Sequence, residues 1–338
     1  MTTLKPVLRR AATLLPIVAV AASSFLPMQE ASAQRALVTA DGSSTVFPIS
    51  EAVAEEFQKR NKNINVTVGV SGTGGGFKRF CNGEIDIANA SRPIKKEEIE
   101  ACRKKGIRYI ELPVAFDALT VVVNKSNPVN SITTAELAKI FGRDAEKKVT
   151  NWRQVKSSFP NLPLRVYAPG TDSGTYDYFN EAILNKKGTR GDLTASEDDN
   201  ILVQGVSRDR GGIGFFGFSY YEENKNRLKA LAVVNSNGKA VMPSVQNVIN
   251  GTYDPLARPV FIYVSEQAAK KANVRSFVNF YLQNAGKLSR EVGFVPLPAR
   301  AYTAATQRFR SNKTGTVFAG KSLVGATIEE LLKAEGIN

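Results

Sequence analysis

From Arg35 onward, short β-branched runs alternate with amphipathic stretches, and this alternation limits the possible folds more than any other feature of the chain. RALVTAD reads as a strand and ISEAVAEEFQKR as a helix with Val53, Ala54 and Phe57 on one face. INVTVGV, IDIANA and IRYIEL are the next strand candidates, separated by the helical GFKRFCNG and KKEEIEACRKK. Strands that alternate with helices predict an α/β architecture, a largely parallel sheet with helices on both faces.

The pattern restarts at DALTVVVNK, residues 117–125. TTAELAKIFG, LRVYAPG, SGTYDYFNEAIL, GIGFFGF and LKALAVV then make up a second α/β set. PVFIYVS opens a further stretch, followed by the helical VRSFVNFYLQNAGKL and a last helix at TIEELLKAEG. At 338 residues the chain is long enough for two ordinary domains. It contains no long Gly/Ser linker and no internal repeat, so two lobes joined by crossing strands are expected.

The first 33 residues read differently. Lys5, Arg9 and Arg10 precede an apolar run from Ala11 to Leu26, and Ala31-Ser32-Ala33 offers a small-x-small cleavage site. This is the layout of a secretory signal peptide, with Gln34 as the first mature residue. A membrane anchor is the alternative, but Pro16 interrupts a run already shorter than the roughly 20 residues needed to span. The formal charge of +14 becomes +12 once three basic residues and Glu30 leave with the leader. Such a balance suits an anionic ligand or simply a basic surface. The lysines and arginines are scattered and no nucleic-acid-binding motif is present, so no nucleic-acid partner is expected.

Histidine is absent, which excludes a Ser-His-Asp triad and any His-ligated metal centre. No metal, cofactor or catalytic residue is expected. Cys81 and Cys102 would meet an oxidising compartment, where a single disulfide between them is the expected state and two buried thiols the alternative. GTVFAGKS, residues 315–322, satisfies the P-loop pattern at every fixed position. Yet polar TQRFRSNKT replaces the launching strand, and too few residues follow to carry a magnesium ligand. We read it as a chance match in a turn before the last helix.

Three other stretches suit an anion better: DGSSTVFPIS, VSGTGGGFKRF and PGTDSGTYDYF. Each follows a strand candidate, is dense in Gly, Ser and Thr, and runs into a helix. The first N–H groups of a helix lack intrahelical partners and sit at the positive end of its dipole. Glycines allow close approach, hydroxyls add donors, and a tetrahedral oxyanion is the matching ligand. Each stretch alone could be an ordinary capped turn. Ser91-Arg92 would emerge at the same strand ends, where Arg92 could pair with a phosphate or, at the surface, with Glu84 or Asp86.

The order DGSSTVFPI, SGTGGGFKRF, DIANASRPI, GTDSGTYDYF, GGIGFFG resembles the periplasmic phosphate-binding proteins of ABC-type phosphate transporters, the PstS family, over nearly the whole mature chain. The resemblance implies a two-lobed type II periplasmic-binding-protein fold, with lobe I at 34–117 plus 258–338 and lobe II at 118–257. It implies inorganic phosphate captured between the lobes by a monomer in the periplasm and handed to the permease subunits of an ABC transporter. The binding residues it implies are Ser44, Thr45, Val46, Thr73, Ser173, Gly174 and Thr175, joined by Ser91 and Arg92. Two positions depart from the best-known branch. Arg92 stands where that branch has an Asp that accepts the phosphate proton, and Pro169 where it has an Arg. The positive charge is thus expected at Arg92, with Asp172 as replacement acceptor. Another oxyanion such as sulfate or molybdate, a secreted phosphate-ester hydrolase, and a sensor that docks on no permease are the competing readings.

Overall fold

β1 (Ala36–Gly42) leads into α1 (Phe47–Arg60) and β2 (Ile64–Val68) into α2 (Gly72–Cys81), in a computed structural model that describes Thr2 and residues 35–318 and 324–337. β3 (Ile87–Ala90), α3 (Lys96–Lys104), β4 (Tyr109–Asn124), β5 (Ser131–Thr133), α4 (Thr134–Phe141) and α5 (Trp152–Val155) follow. Next come β6 (Arg165–Pro169), α6 (Gly174–Ala182), β7 (Thr194–Ser196), α7 (Asp199–Arg208), β8 (Gly212–Gly217) and α8 (Phe218–Asn224). β9 (Leu228–Ala230), β10 (Ala232–Val234), β11 (Ala240–Val241), α9 (Val245–Ile249), β12 (Ala257–Ser265), α10 (Ala272–Glu291), α11 (Ala299–Arg310) and α12 (Ile328–Ala334) complete the order. The leader expected over 1–33 lies, Thr2 apart, outside the described residues, as do 319–323 of the P-loop-like stretch. None of the described helices is long and apolar enough to cross a membrane.

The main sheet runs β2-β1-β3-β12-β4-β8-β6-β7, with β9 also paired to β4. It is mixed. Parallel pairing, as expected from the βα alternation, occupies the flanks β2–β1–β3 and β8–β6–β7. The middle is antiparallel, because β12 returns alongside both β3 and β4, and β4 pairs with β8. The first part of β4 pairs with β12 and its last residues with β8 and β9, so β4 links the two flanks of the sheet.

β4 departs from the sequence reading, which had IRYIEL and DALTVVVNK as separate strands. The structure joins them through Pro113. Proline is tolerated there because the register with β12 shifts at that point, with Phe261 opposite Pro113 and Val260 opposite Ala115. Every residue of β4 and of β12 is buried, the charged Glu111, Asp117 and Arg258 included. α7 and α11 were not anticipated from the sequence; α7 packs over β6 and β8 with Leu202, Val203 and Val206 inward.

Two large cores pack on the sheet, beside a smaller cluster in which Leu202, Val203 and Val206 of α7 meet Val122 and Phe216. Phe57, Ile262, Phe277 and Tyr281 lie in one, between the sheet and the α1–α10 pair. Phe141, Phe179, Phe215 and Trp152 lie in the other, where the Phe179 and Phe215 rings stack at 3.9 Å. Cys81 and Cys102 form a disulfide that ties the end of α2 to α3.

Candidate functional site

The three Gly/Ser/Thr-rich stretches converge. Thr45, just before α1, lies with its Oγ1 at 2.9 Å from Oγ1 of Thr175 in the first turn of α6. Thr73, in the first turn of α2, has its hydroxyl 3.2 Å from that of Ser91, at the end of β3. A Cβ placed on Gly174 would run into the hydroxyls of both Thr73 and Ser91, so α6 begins directly against them. Thr45, Thr73, Ser91 and Thr175 are each fully buried.

Local sequence explains how each helix start reaches this point. Neither α1 nor α2 carries a side-chain cap, and α2 begins inside the glycine run, earlier than GFKRFCNG suggests. A Cβ at Gly76 would meet Gly42 of β1 at 2.6 Å, so the run lets the α2 backbone lie against the end of that strand. α6 is capped by Ser173, whose Oγ accepts from the amides of Thr175 and Tyr176. The Ser173 hydroxyl therefore already has an intrahelical duty. The Val46 amide likewise donates to the Ser43 carbonyl, at 3.2 Å. Ser44 is buried beside Thr45, and its carbonyl accepts from the Tyr220 hydroxyl.

The charge at the centre is Arg258, which the sequence reading missed. Its Nη2 donates to Thr45 Oγ1 at 3.1 Å and to Thr175 Oγ1 at 2.8 Å, and its Nη1 to the Gly174 carbonyl at 3.1 Å. Asp117, directly opposite in the β4–β12 register, accepts from it at 3.2 Å. Both are about 1% exposed. Burial pushes the Asp117 carboxyl above the usual range, against the pull of the Arg258 guanidinium and the Phe218 amide. Both threonine oxygens accept from Arg258, and one of the two hydroxyl protons bridges them, so both become available to a ligand that displaces this mutual bond. An oxyanion entering between them would meet two O–H donors and a guanidinium. The available signal was an acid and a base each opening a long apolar strand, DALTVVV and RPVFIYVS.

Two expected site residues are placed otherwise. Arg92 is not free to offset a ligand's charge, because its Nη1 and Nη2 grip Glu98 at 2.8 and 2.7 Å and its Nε meets Asp177 at 2.7 Å. Burial alone would lower its pKa; the two carboxylates outweigh that and raise it. Neither Glu84 nor Asp86 is its partner, since Glu84 meets Arg79 and Asp86 meets Lys271. The Asp172 side chain is exposed and not a buried acceptor. Its carbonyl instead takes a hydrogen bond from Gly74 N at 2.8 Å, and its own amide donates to Glu197. A cavity of about 550 Å³ opens beside Ser91 and Arg258, walled by Arg92, Lys95, Asp177 and Lys186.

Comparison with known proteins gives a consistent picture. Residues 28–285 match the family model described as a PBP superfamily domain. The chain is 95% identical over 338 residues, all of both chains, to a protein of Synechococcus elongatus named Protein SphX. It is 40% identical over 270 residues to the phosphate-binding protein PstS of Staphylococcus saprophyticus, covering 79% of this chain and 82% of that one. A solved Clostridium perfringens structure, described as a putative phosphate ABC transporter substrate-binding protein with bound phosphate, superposes with a TM-score of 0.65 at 25% identity. That match covers 78% of this chain and all of the other.

Proposed function

The chain belongs to the PBP superfamily and within it to the PstS-type phosphate-binding proteins, and from that premise we propose that it captures inorganic phosphate in the cleft between its lobes for an ABC-type phosphate importer. It is a binding protein, not an enzyme. The observation that carries the site assignment is the convergence of Thr45, Thr175 and Gly174 on one buried guanidinium, Arg258, with the Thr73 and Ser91 hydroxyls against the same turn. In this reading Arg258 is the phosphate's charge partner. Thr45, Thr73, Ser91 and Thr175 supply hydroxyl donors, and the amides of Ser44, Thr45 and Gly174 complete the cradle. Ser173 holds α6 in position as its cap, and Val46 contributes by packing.

The lobes divide where Asp117 faces Arg258, giving lobe I at 34–117 plus 258–338 and lobe II at 118–257. The crossing strands then carry the ligand's counter-charge at the hinge itself, where it serves both lobes. The protein works outside the cytoplasm as a monomer, and in this reading cleavage after about Ala33 releases it into the periplasm. A calorimetric titration of residues 34–338 with phosphate, arsenate, sulfate and molybdate tests the proposal. Tight 1:1 phosphate binding is expected, with arsenate close behind; no heat with phosphate, or a clear preference for molybdate, would overturn it.

A further inference from the structure

The end of the main sheet remote from the candidate site carries a concentration of positive charge. β8 runs from Gly212 to Gly217, and a Cβ on Gly217 would touch Thr45 of the cradle. Five residue steps of about 3.3 Å put the Gly212 end roughly 16 Å away. There β4 finishes while β6, β8 and β9 begin. Arg165 of β6 stands opposite Gly212, and Lys229 of β9 opposite Val123 of β4. Lys125 follows β4, and its amide donates to the Arg227 carbonyl. α7 ends at the same edge, on Arg208, where the Asn124 amide donates to the Ser207 carbonyl at 2.9 Å. The Arg210 carbonyl just beyond accepts from Asn127 Nδ2. Of these basic residues Lys229 is half-buried and the others are exposed. None of them has a carboxylate within ion-pair range among the described residues. The nearby acids are engaged elsewhere: Glu222 takes Lys225, and Asp209 takes the Tyr167 phenol. Burial, and then the nearness of Lys125, lowers the pKa of Lys229.

Like charges set side by side repel, so folding gains nothing from the cluster. A small anion does not account for it, because the residues form a row across the ends of β9, β4, β8 and β6, about 14 Å wide at three strand spacings. Neither the cavity beside Arg258 nor the groove between α10 and α11 includes them. The large exposed apolar side chains, Ile201 and Met242 among them, lie on other segments, so the row lacks the anchors on which protein partners depend. We propose that this basic edge is a docking surface for the anionic headgroups of a lipid bilayer, held by charge alone with no side chain inserted into the apolar layer. The choice of a lipid surface rests on the proposed service to a membrane importer. Each cation close to an anionic surface multiplies partition about fivefold, so a handful suffices for reversible adsorption. The cleft, at the other end of β8, stays open to phosphate while the edge is engaged.

The test is co-sedimentation of residues 34–338 with vesicles of phosphatidylcholine, alone or with about 30% phosphatidylglycerol, in about 0.05 and 0.5 M NaCl. Adsorption is expected only on the anionic vesicles and only at low salt. Lys125→Glu/Arg210→Glu/Arg227→Glu should cut it by roughly 100-fold or more. Lys62→Glu/Lys104→Glu/Lys105→Glu, with the same change of net charge on exposed residues elsewhere, should leave most of it. Three results would overturn the proposal: no adsorption to anionic vesicles, equal adsorption to phosphatidylcholine alone, or the same loss in both triple variants. Should the first triple not fold, Arg210→Gln/Arg227→Gln takes its place, with a loss of roughly tenfold or more expected and undiminished adsorption overturning the proposal equally. Calorimetry on the same samples reads phosphate affinity separately, and both triples should match the unaltered protein. Failure of the unaltered protein to bind phosphate would sink the parent reading, whereas the vesicle result decides this one.

Discussion

Arg258 and Arg92 show how differently two arginines of similar promise end up. Arg92 stands at a strand end, where a ligand-binding cation was expected, but Glu98 and Asp177 already satisfy its guanidinium. Asp177 lies 85 residues away, so no local pattern reveals the pairing. Arg258 looks like the edge of an apolar strand and is buried at the centre of the candidate site, on Thr45, Thr175 and Asp117. Three outcomes follow at this scale. Thr175→Val removes one donor while keeping the shape, so phosphate affinity should drop by about 1.5–3 kcal/mol, roughly 10- to 150-fold, with a nearly unchanged melting temperature. Arg258→Gln should abolish measurable binding and also destabilise the fold by about 3–5 kcal/mol in denaturant titrations, because Asp117 is left buried without its partner. Asp172→Asn should shift phosphate and sulfate affinities alike and by little, since its carboxylate faces solvent; a selective loss of phosphate in competition binding would restore it as the acceptor.

At the scale of elements, the anion-seeking helix starts were legible because their chemistry is local. Glycines and hydroxyls ahead of an amphipathic run say the same thing whichever neighbour arrives. The boundaries were less legible. α2 starts within its glycines because β1 packs against them, and β4 runs on through Pro113 because a register shift in the β4–β12 pairing accommodates a residue without an N–H. α7 escaped notice although it carries Asp199, since EDDNILVQ offers a strong polar start and only a short apolar stripe. The Cys81–Cys102 bridge closes a loop of 21 residues between α2 and α3. On the chain-entropy account such a loop contributes about 3 kcal/mol. The double Cys→Ser variant should therefore melt roughly 5–10 °C lower, while phosphate binding at low temperature persists, because neither cysteine touches the site.

Across the whole molecule, the proposed lobes meet through contacts made by the protein alone. Asp177 on α6 receives both Arg92 and Lys95, each at 2.7 Å, and the Asp172 carbonyl receives Gly74 N. These contacts favour a closed cleft, and a ligand adds to a balance already tilted that way. Asp177→Asn should raise the phosphate dissociation rate several-fold in stopped-flow measurements, with a smaller effect on association; an unchanged rate would mean that the ion pairs do not restrain opening. Gly174→Ala adds a single methyl group at the point where α6 meets the Thr73 and Ser91 hydroxyls. Alanine suits a helix start, so the fold should survive. Closure should not: X-ray scattering is expected to show no contraction on adding phosphate.

The sequence by itself determined the alternation of strands and helices, the three glycine- and hydroxyl-rich helix starts and the exclusion of histidine chemistry, because propensity, periodicity and residue identity act within a few residues of chain. Which groups carry charge into the cleft was decided only by the tertiary structure. Arg258 meets Asp117 across 141 residues, Arg92 is drawn to Asp177 and Glu98, and Asp199 is sealed at the start of α7 with no hydrogen-bond partner for its carboxyl among the described residues. Whether a buried ionisable group is paired, free or neutral depends on the low-dielectric surroundings that distant segments build, and those exist only once the chain has closed upon itself.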